Sequence, residues 1–460
     1  MKQAGIFLGA ALLIGAGALQ AAPTYQAEAC CTLCPAAATI SPQQTPELAS
    51  LGGLVEGSDG WLFSRDKDLR TRFALDEPSY GQLGRLRDAL QARGVELLLV
   101  YQPSRGLLHA DRLLPAEQVR FDLARARDSY RASLARLRAL GLRVPDLASL
   151  LQAEAGAPDY YFKADRNWTP QGAERVARLV AQTVRATPAL AGLPRAEYVS
   201  QPVGLLGRSG SLQSAAAQLC GSGYPQQFVP GYATRPRQAG PQAPAEVVLV
   251  GGGNSAEAFN FAGFLQQYLG TPVHNASQPD SGPAAALLQY LLSPAFQRQP
   301  PRLLVWEVDD GERLVQRNFY RQALAAVDDG CRGRPTLLQG QTSLAGGSRQ
   351  VLFNGADGVL AIHGGDYRLE LQMDAPAAEQ LDATLTFMNG RQERLSFVRS
   401  PAAGGPARFV LALREDGDWA PLTFLALNVQ ALPAGAGGRL SASLCRVPAN
   451  LRTAAAGGRR

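Results

Sequence analysis

Two segments of this chain carry residue types at spacings suited to ester chemistry. The first, Phe162-Lys163-Ala164-Asp165-Arg166-Asn167-Trp168-Thr169-Pro170, places a carboxylate two residues ahead of a position where a general base would stand, and that position holds Asn167. The second runs from the apolar stretch Val247-Val248-Leu249-Val250 into Gly251-Gly252-Gly253-Asn254-Ser255, a turn where a serine nucleophile would stand and Gly253 is found instead. A hydroxyl attacks a carbonyl only once a base takes its proton. An amide does not do so near neutral pH, and glycine offers no nucleophile. The pair therefore reads as a site for binding rather than for turnover.

Other residues nearby could supply the missing groups. Ser255 lies two positions past Gly253, where a shifted turn would aim its hydroxyl into the same cleft; Ser104 lies in a neighbouring loop, with His109 five residues on as a substitute base. Against this, a strand-to-helix turn fixes direction tightly and two replacements would be needed at once. The plainer roles are a helix-starting cap for Ser255, a loop residue for His109 and a turn or cap contact for Asp165. Arg105 has two readings, a guanidinium that grips a carboxylate in the cleft or a member of an internal ion pair.

The elements that must position these groups alternate between strand and helix. Gln82 to Arg93 has helical spacing, and Val95 to Tyr101 is a short apolar run of the kind buried on both faces of a sheet. The loop Gln102-Pro103-Ser104-Arg105-Gly106 follows, then a long helix from about Ala116 to Leu140 and a short run at Leu142 to Pro145. Gln171 to Thr183 is a helix with Pro170 near its first turn. Glu246 to Val250 and Arg302 to Glu307 are further buried strands, with helices at Ala256 to Leu269 and Gly282 to Leu292 between them. This order predicts an α/β domain with a parallel sheet covered on both sides and the motif loops at the carboxyl ends of its strands.

After about residue 330 the pattern becomes short and alternating. Eight runs (Val351 to Asn354, Gly358 to Ile362, Tyr367 to Gln372, Ala383 to Met388, Leu395 to Val398, Ala407 to Leu413, Leu422 to Gln430 and Leu440 to Leu444) predict an all-β sandwich. The domains expected are 23–335 and 345–449, with a disordered tail over 450–460. A Cys331–Cys445 bridge would pin the ends of the sandwich together, and a Cys34–Cys220 bridge would tie the N-terminal segment to the first domain.

Residues 1–22 read as a cleaved secretory signal, with Lys2, an apolar run from Ala4 to Leu19, and small residues at Ala21 and Ala22; an uncleaved anchor is the alternative. All six cysteines follow that segment, Cys30 and Cys31 among them, as suits a compartment where disulfides persist. The cysteines and the three histidines are not at zinc-ligand spacing, so no metal is expected, nor any other cofactor. The formal charge of +6, carried almost wholly by arginine, suits an anionic partner such as a uronate polymer or a membrane surface. Nucleic acid is not a partner in that compartment.

Read in order, Gly60-Trp61-Leu62-Phe63, Tyr101-Gln102-Pro103-Ser104-Arg105-Gly106, Asp165 to Pro170, Val247 to Ser255 with Asn260-Phe261-Ala262-Gly263, and Leu304-Val305-Trp306-Glu307 resemble the AlgX/AlgJ family of SGNH-hydrolase-like alginate O-acetyltransferases. The resemblance covers nearly the whole mature chain and favours the AlgX branch, whose SGNH-hydrolase-like domain is followed by a carbohydrate-binding sandwich. It implies a periplasmic protein of alginate, or a related exopolysaccharide, that meets polymannuronate and the periplasmic and outer-membrane assembly proteins. The family's chemistry uses a Ser nucleophile and an Asp-x-His pair. By this resemblance Asp165 matches the Asp, Asn167 replaces the His and Gly253 replaces the Ser. The function expected is polymer binding in support of O-acetylation and export, with a degenerate acetyltransferase site; the alternative is an active enzyme rebuilt around Ser255. Arg105, Arg391, Arg394 and Trp419 are the expected polymer contacts, the ring by stacking and the guanidiniums by pairing with carboxylates. Trp419 reads equally as core and the arginines equally as solvated charge.

Overall fold

The computed structural model describes residues 33–447 except 40–43, 153–155, 222–223, 239, 241–242, 310–313, 345–346, 357, 375–379, 399–406 and 431–437. The expected signal segment, Cys30, Cys31 and the expected tail lie outside the described residues.

Strand β1 (Leu54–Glu56) pairs with β2 (Leu62–Ser64) in a small hairpin, and β3 (Glu96–Tyr101) opens the main sheet. A long two-stranded ribbon follows, β4 (Tyr198–Arg208) with β5 (Gln227–Pro236), then β6 (Val247–Val250), β7 (Val273–Asn275) and β8 (Leu303–Val308). The sheet order is β3-β8-β6-β7, all parallel, and the strands β3, β6 and β8 are buried along nearly their whole length. The run near Leu142 to Pro145 contributes one parallel bridge, Arg143 to Leu98, on the outer side of β3. Helices cover both faces as βαβ connections require. The helix Pro170–Arg185 shows how the sequence chooses its buried side: Ala173, Val176, Ala177, Val180, Ala181 and Val184 recur at three- and four-residue spacing and all are buried, while the Thr169 hydroxyl caps its first turn by accepting from the Gly172 N–H.

Two expected helices are interrupted. The segment 116–140 forms two helices, Pro115–Arg120 and Leu123–Ala139, because the Asp122 side chain accepts the Arg125 N–H and restarts the chain as a new N-terminus. The segment 256–269 begins with the short turns Gly253–Ser255 and Glu257–Phe259, and the helix proper, Phe261–Leu269, starts only after Asn260 adopts a left-handed conformation.

The sandwich consists of β9 (Thr336–Ser343), β10 (Ser348–Phe353), β11 (Tyr367–Met373), β12 (Gln380–Phe387), β13 (Gln392–Val398), β14 (Ala407–Ala412), β15 (Phe424–Gln430) and β16 (Arg439–Arg446). They form two antiparallel sheets, β10-β15-β12-β13 and β14-β11-β16-β9, closed over one apolar core. Strand β9 joins the second sheet, so the sandwich begins before residue 345. The apolar run 358–362 is not a strand: Val359 and Leu360 are exposed, and only Ile362 turns inward.

Both expected bridges form, Cys34–Cys220 with Cα atoms 5.5 Å apart and Cys331–Cys445 with Cα atoms 5.6 Å apart. Paired charges join the two domains. Arg321, on the helix Arg317–Val327, donates to Glu393 at 2.6 Å and to the Ala412 carbonyl at 2.9 Å; Arg368 meets Asp328 at 2.9 Å and Arg408 meets Asp329 at 2.6 Å. Buried pairs add little net stability because desolvation offsets their attraction. Any other docking angle, however, would strand a buried charge, so the pairs fix how the domains meet.

Candidate functional site

The loop after Tyr161 and the turn after β6 meet at the carboxyl end of the parallel sheet. Tyr161 and Trp168 form an antiparallel bridge, and the Phe162 N–H donates to the Asn167 carbonyl at 3.2 Å, so residues 162–167 are the tip of a tight hairpin. Trp168 clamps this tip to the glycine turn from both ends: its backbone N–H donates to Asn254 Oδ1 at 3.0 Å, and its indole N–H donates to the Asn254 carbonyl at 2.7 Å. The clamp brings Asn167 to Gly253. A Cβ added at Gly253 would lie 2.8 Å from Asn167 Nδ2. Both residues are half-buried, which leaves them within reach of a ligand.

Asp165 is fully buried and its carboxylate is saturated. Arg208 donates to Oδ2 through Nε and Nη2 at 3.1 and 2.9 Å; Ser211 donates to Oδ1 from its hydroxyl at 3.1 Å and its N–H at 3.3 Å; the Asn167 N–H completes the shell at 3.4 Å. Ser211 is the first residue of the helix Ser211–Cys220, whose free N–H groups favour an anion there. Asp165 therefore positions residue 167 through its backbone and anchors the loop to the ribbon and that helix.

Beneath the glycine turn lies Glu307, fully enclosed at the end of β8. It accepts from Asn254 Nδ2 at 3.1 Å, from the Ser255 hydroxyl at 3.2 Å and from the Gly252 N–H at 3.3 Å. Burial, followed by the neighbouring Asp309, pushes its carboxyl up to about 8, while the three donors oppose the shift. The packing explains Gly251: a Cβ there would lie 2.3 Å from Ser255 Oγ and 2.7 Å from the Glu307 carboxylate.

These contacts redistribute the expected roles. Ser255 is 1% exposed and points down onto Glu307 and away from the cleft, so it braces the turn. His109 is buried against the Trp61 ring at 4.3 Å and its Nε2 accepts the Tyr161 N–H at 3.4 Å; burial, and then Arg105, depress its pKa to about 3. Ser104 is buried with its hydroxyl unpartnered, and among the described residues no hydrogen bond joins Ser104, His109 and Ser255. Arg105 is also placed differently from the cleft role expected of it. Its guanidinium is 1% exposed, donates to the carbonyls of Leu62, Phe162, Lys163 and Asp165, and lies 3.4 Å from Asp68. It is the internal brace that holds the 162–165 loop against β2. Arg208 and Ser211 are parts that the sequence did not signal, and Glu307, which ends the motif Leu304 to Glu307, was given no role in the site.

The four expected polymer contacts do not converge. Arg105 is separate, whereas Arg394 and Trp419 line a cleft of about 910 Å³ between the sandwich and the first domain, with Arg317, Gln392 and Arg414. Trp419 is partly buried against the sandwich core, edge-on to Phe387 at 5.4 Å, and the guanidiniums of Arg391 and Arg414 each lie 4.3 Å from its ring centre. Arg394 is exposed. The start of one helix lies between this cleft and the glycine turn: Ser281 and Ala284 line the cleft, while Gly282 and Pro283 pack against Gly252.

Comparison with known proteins places this geometry. Residues 54–310 match the family described as SGNH hydrolase-like domain, acetyltransferase AlgX, and residues 330–457 match a C-terminal carbohydrate-binding module. The chain is 39% identical over 451 residues to the alginate biosynthesis protein AlgX of Pseudomonas syringae pv. tomato, covering 95% of this chain and 94% of that protein. It is likewise 39% identical over 448 residues to the Pseudomonas aeruginosa protein of the same name, covering 95% and 94%. A solved structure of Pseudomonas aeruginosa AlgX superimposes with a TM-score of 0.83, covering 90% of this chain and 100% of that one.

Proposed function

This chain belongs to the AlgX family, and on that premise we propose that it is a periplasmic, polymer-binding member whose acetyltransferase site has lost its own chemistry. The observation that carries this reading is the meeting of Asn167 and Gly253. The clamp by Trp168 and Asn254, the saturated Asp165 and the glycine turn on Glu307 bring together the two positions where a base and a nucleophile would react, and neither group is there. A reading in which Ser255 has taken over is not supported, since its hydroxyl is spent on Glu307 and enclosed.

What remains suits binding of an anionic polysaccharide such as polymannuronate. The cleft of about 910 Å³ offers the exposed Arg394 beside amide side chains, with Arg317 and Arg414 sharing Asp416 in its wall. Guanidiniums grip carboxylates in a fixed geometry, while amides and hydroxyls read ring hydroxyls. Trp419, with Arg391 and Arg414 against its ring, supports the cleft wall and holds those guanidiniums in place. The protein would present polymer within the O-acetylation and export assembly and leave acetyl transfer to another member.

The test is acetyl transfer from a chromogenic acetyl ester to an oligomannuronate, run beside binding of the same oligosaccharide, on wild type and on Ser255→Ala. Binding without turnover in both proteins is expected. Turnover by wild type that Ser255→Ala abolishes would overturn the reading.

A further inference from the structure

The second sheet of the sandwich turns a polar trough outward, on the side away from the sheet that carries Arg394. Register places its side chains in rows across three strands. Gln372 of β11, Ser441 of β16 and Gln341 of β9 lie abreast, and two residues along each strand Glu370, Ser443 and Gln339 form a second row. Residues two apart on a strand share a face. Leu440, Ala442 and Leu444 point into the core, so Ser441 and Ser443 point out.

Side-chain length makes this face concave. The central strand contributes short serines as a floor, and the flanking strands contribute long glutamines and one glutamate as walls, enclosing a cavity of about 420 Å³. Among the described residues, Gln339, Gln341, Gln372, Ser441 and Ser443 make no hydrogen bond through their side chains, so their donors and acceptors are open. Glu370, the one charged lining residue, is engaged by Arg408 at 2.8 and 2.9 Å and by the Cys331 N–H at 2.8 Å.

We propose that this trough is a second sugar-binding site, which takes a hydroxyl-rich glycan strand and reads it through hydroxyl groups rather than carboxylates. Amides and hydroxyls both donate and accept, as do sugar hydroxyls, and a face whose one carboxylate is already paired does not repel or select on charge. The domain's match to a carbohydrate-binding module supplies the ligand class. Two cations stand beside the rows, Arg408, which is register partner to Gln372 and is engaged by Glu370 and Asp329, and Arg439, one outward step along β16 from Ser441, so a uronate strand is admitted as well as a neutral one. Two sites on opposite sheets of one module would raise its avidity for a long chain that reaches both. The trough stands independently of the cleft, so either can fail alone.

The test is NMR titration of the full chain with a neutral mannose oligosaccharide and a mannuronate oligosaccharide of equal length, at low salt and at about 0.3 M salt, where exposed charge pairs are largely screened. The expected result is that both sugars perturb the amides of Ser441 and Ser443, that the neutral sugar does so equally at both salt concentrations, and that Gln341→Ala with Gln372→Ala weakens binding there by about tenfold or more. Both substitutions are on exposed positions, and an unchanged melting temperature would show that the fold is kept. Perturbation confined to the cleft, a response to the mannuronate alone that vanishes with salt, or wild-type affinity in the double variant would overturn the proposal.

Discussion

The glycine-turn site and the interdomain cleft differ in where their polar groups are used. At the turn, the buried groups bond to one another: Asp165 to Arg208 and Ser211, Glu307 to Asn254 and Ser255, Arg105 to four carbonyls. In the cleft, Arg394 is exposed and the walls come from two domains. Such a framework holds as a structural unit whatever its reactivity, because its buried groups satisfy one another. The cleft combines paired charges, Arg321 with Glu393 and Arg414 with Asp416, with an exposed Arg394 that a ligand could engage.

This contrast predicts large stability effects and small binding effects at the turn, and the reverse in the cleft. The largest effect is expected from Glu307→Ala, which leaves the Gly252 N–H, Asn254 Nδ2 and Ser255 Oγ unpaired inside a cavity; a loss of about 3–5 kcal/mol should appear in the denaturant midpoint. Asp165→Ala should cost less, about 2 kcal/mol, because Arg208 is partly solvated and recovers water when its partner leaves.

The pH profile separates the same groups. Glu307 is held neutral in the fold up to about 8, so the unfolded chain ionises it first, and its contribution to stability is lost as pH rises from the ordinary carboxylate range through 8. Glu307→Gln should flatten that alkaline slope. His109, held neutral down to about 3, acts in the opposite sense: the unfolded chain takes up the proton first, so stability falls as pH drops below 6.5. Thermal melts across pH, with and without Glu307→Gln, check both signs. The smallest stability effect belongs to Arg394→Ala, within about 0.5 kcal/mol, together with about tenfold weaker oligomannuronate binding that diminishes as salt is raised.

The sequence displayed what depends on runs of apolar residues and on the order of motifs. Strands β3, β6 and β8 are continuous apolar stretches, and the meeting of 165–167 with 251–255 followed from the strand-end rule. Strand β7 escaped notice because it has three residues, and the ribbon β4–β5 because Pro202, Gly204, Pro230 and Gly231 interrupt its pattern. Strand β9 is masked by Gln339, Gln341 and Thr342, whose partners on β16 are about a hundred residues away in the chain, while the apolar run 358–362 simulated a strand although Val359 and Leu360 face water. At the site, the missed parts are all long-range. Arg208 lies 43 residues from Asp165, Ser211 lies 46, and Glu307 lies 52 from Ser255, separations at which no local pattern signals a contact. Arg105 showed why a guanidinium in a motif is ambiguous: nothing local distinguishes a ligand-facing arginine from one capped by backbone carbonyls.

If the site is degenerate as proposed, two side chains separate it from chemistry, and intact-mass and peptide mass spectrometry after incubation with an activated acetyl ester would show it in a comparison of wild type with the double variant Asn167→His, Gly253→Ser. Wild type is expected to gain no acetyl group at the turn, and the double variant to gain one on the introduced serine. Acetylation of Ser255 in wild type, or a folded double variant that stays unlabelled, would contradict the proposal.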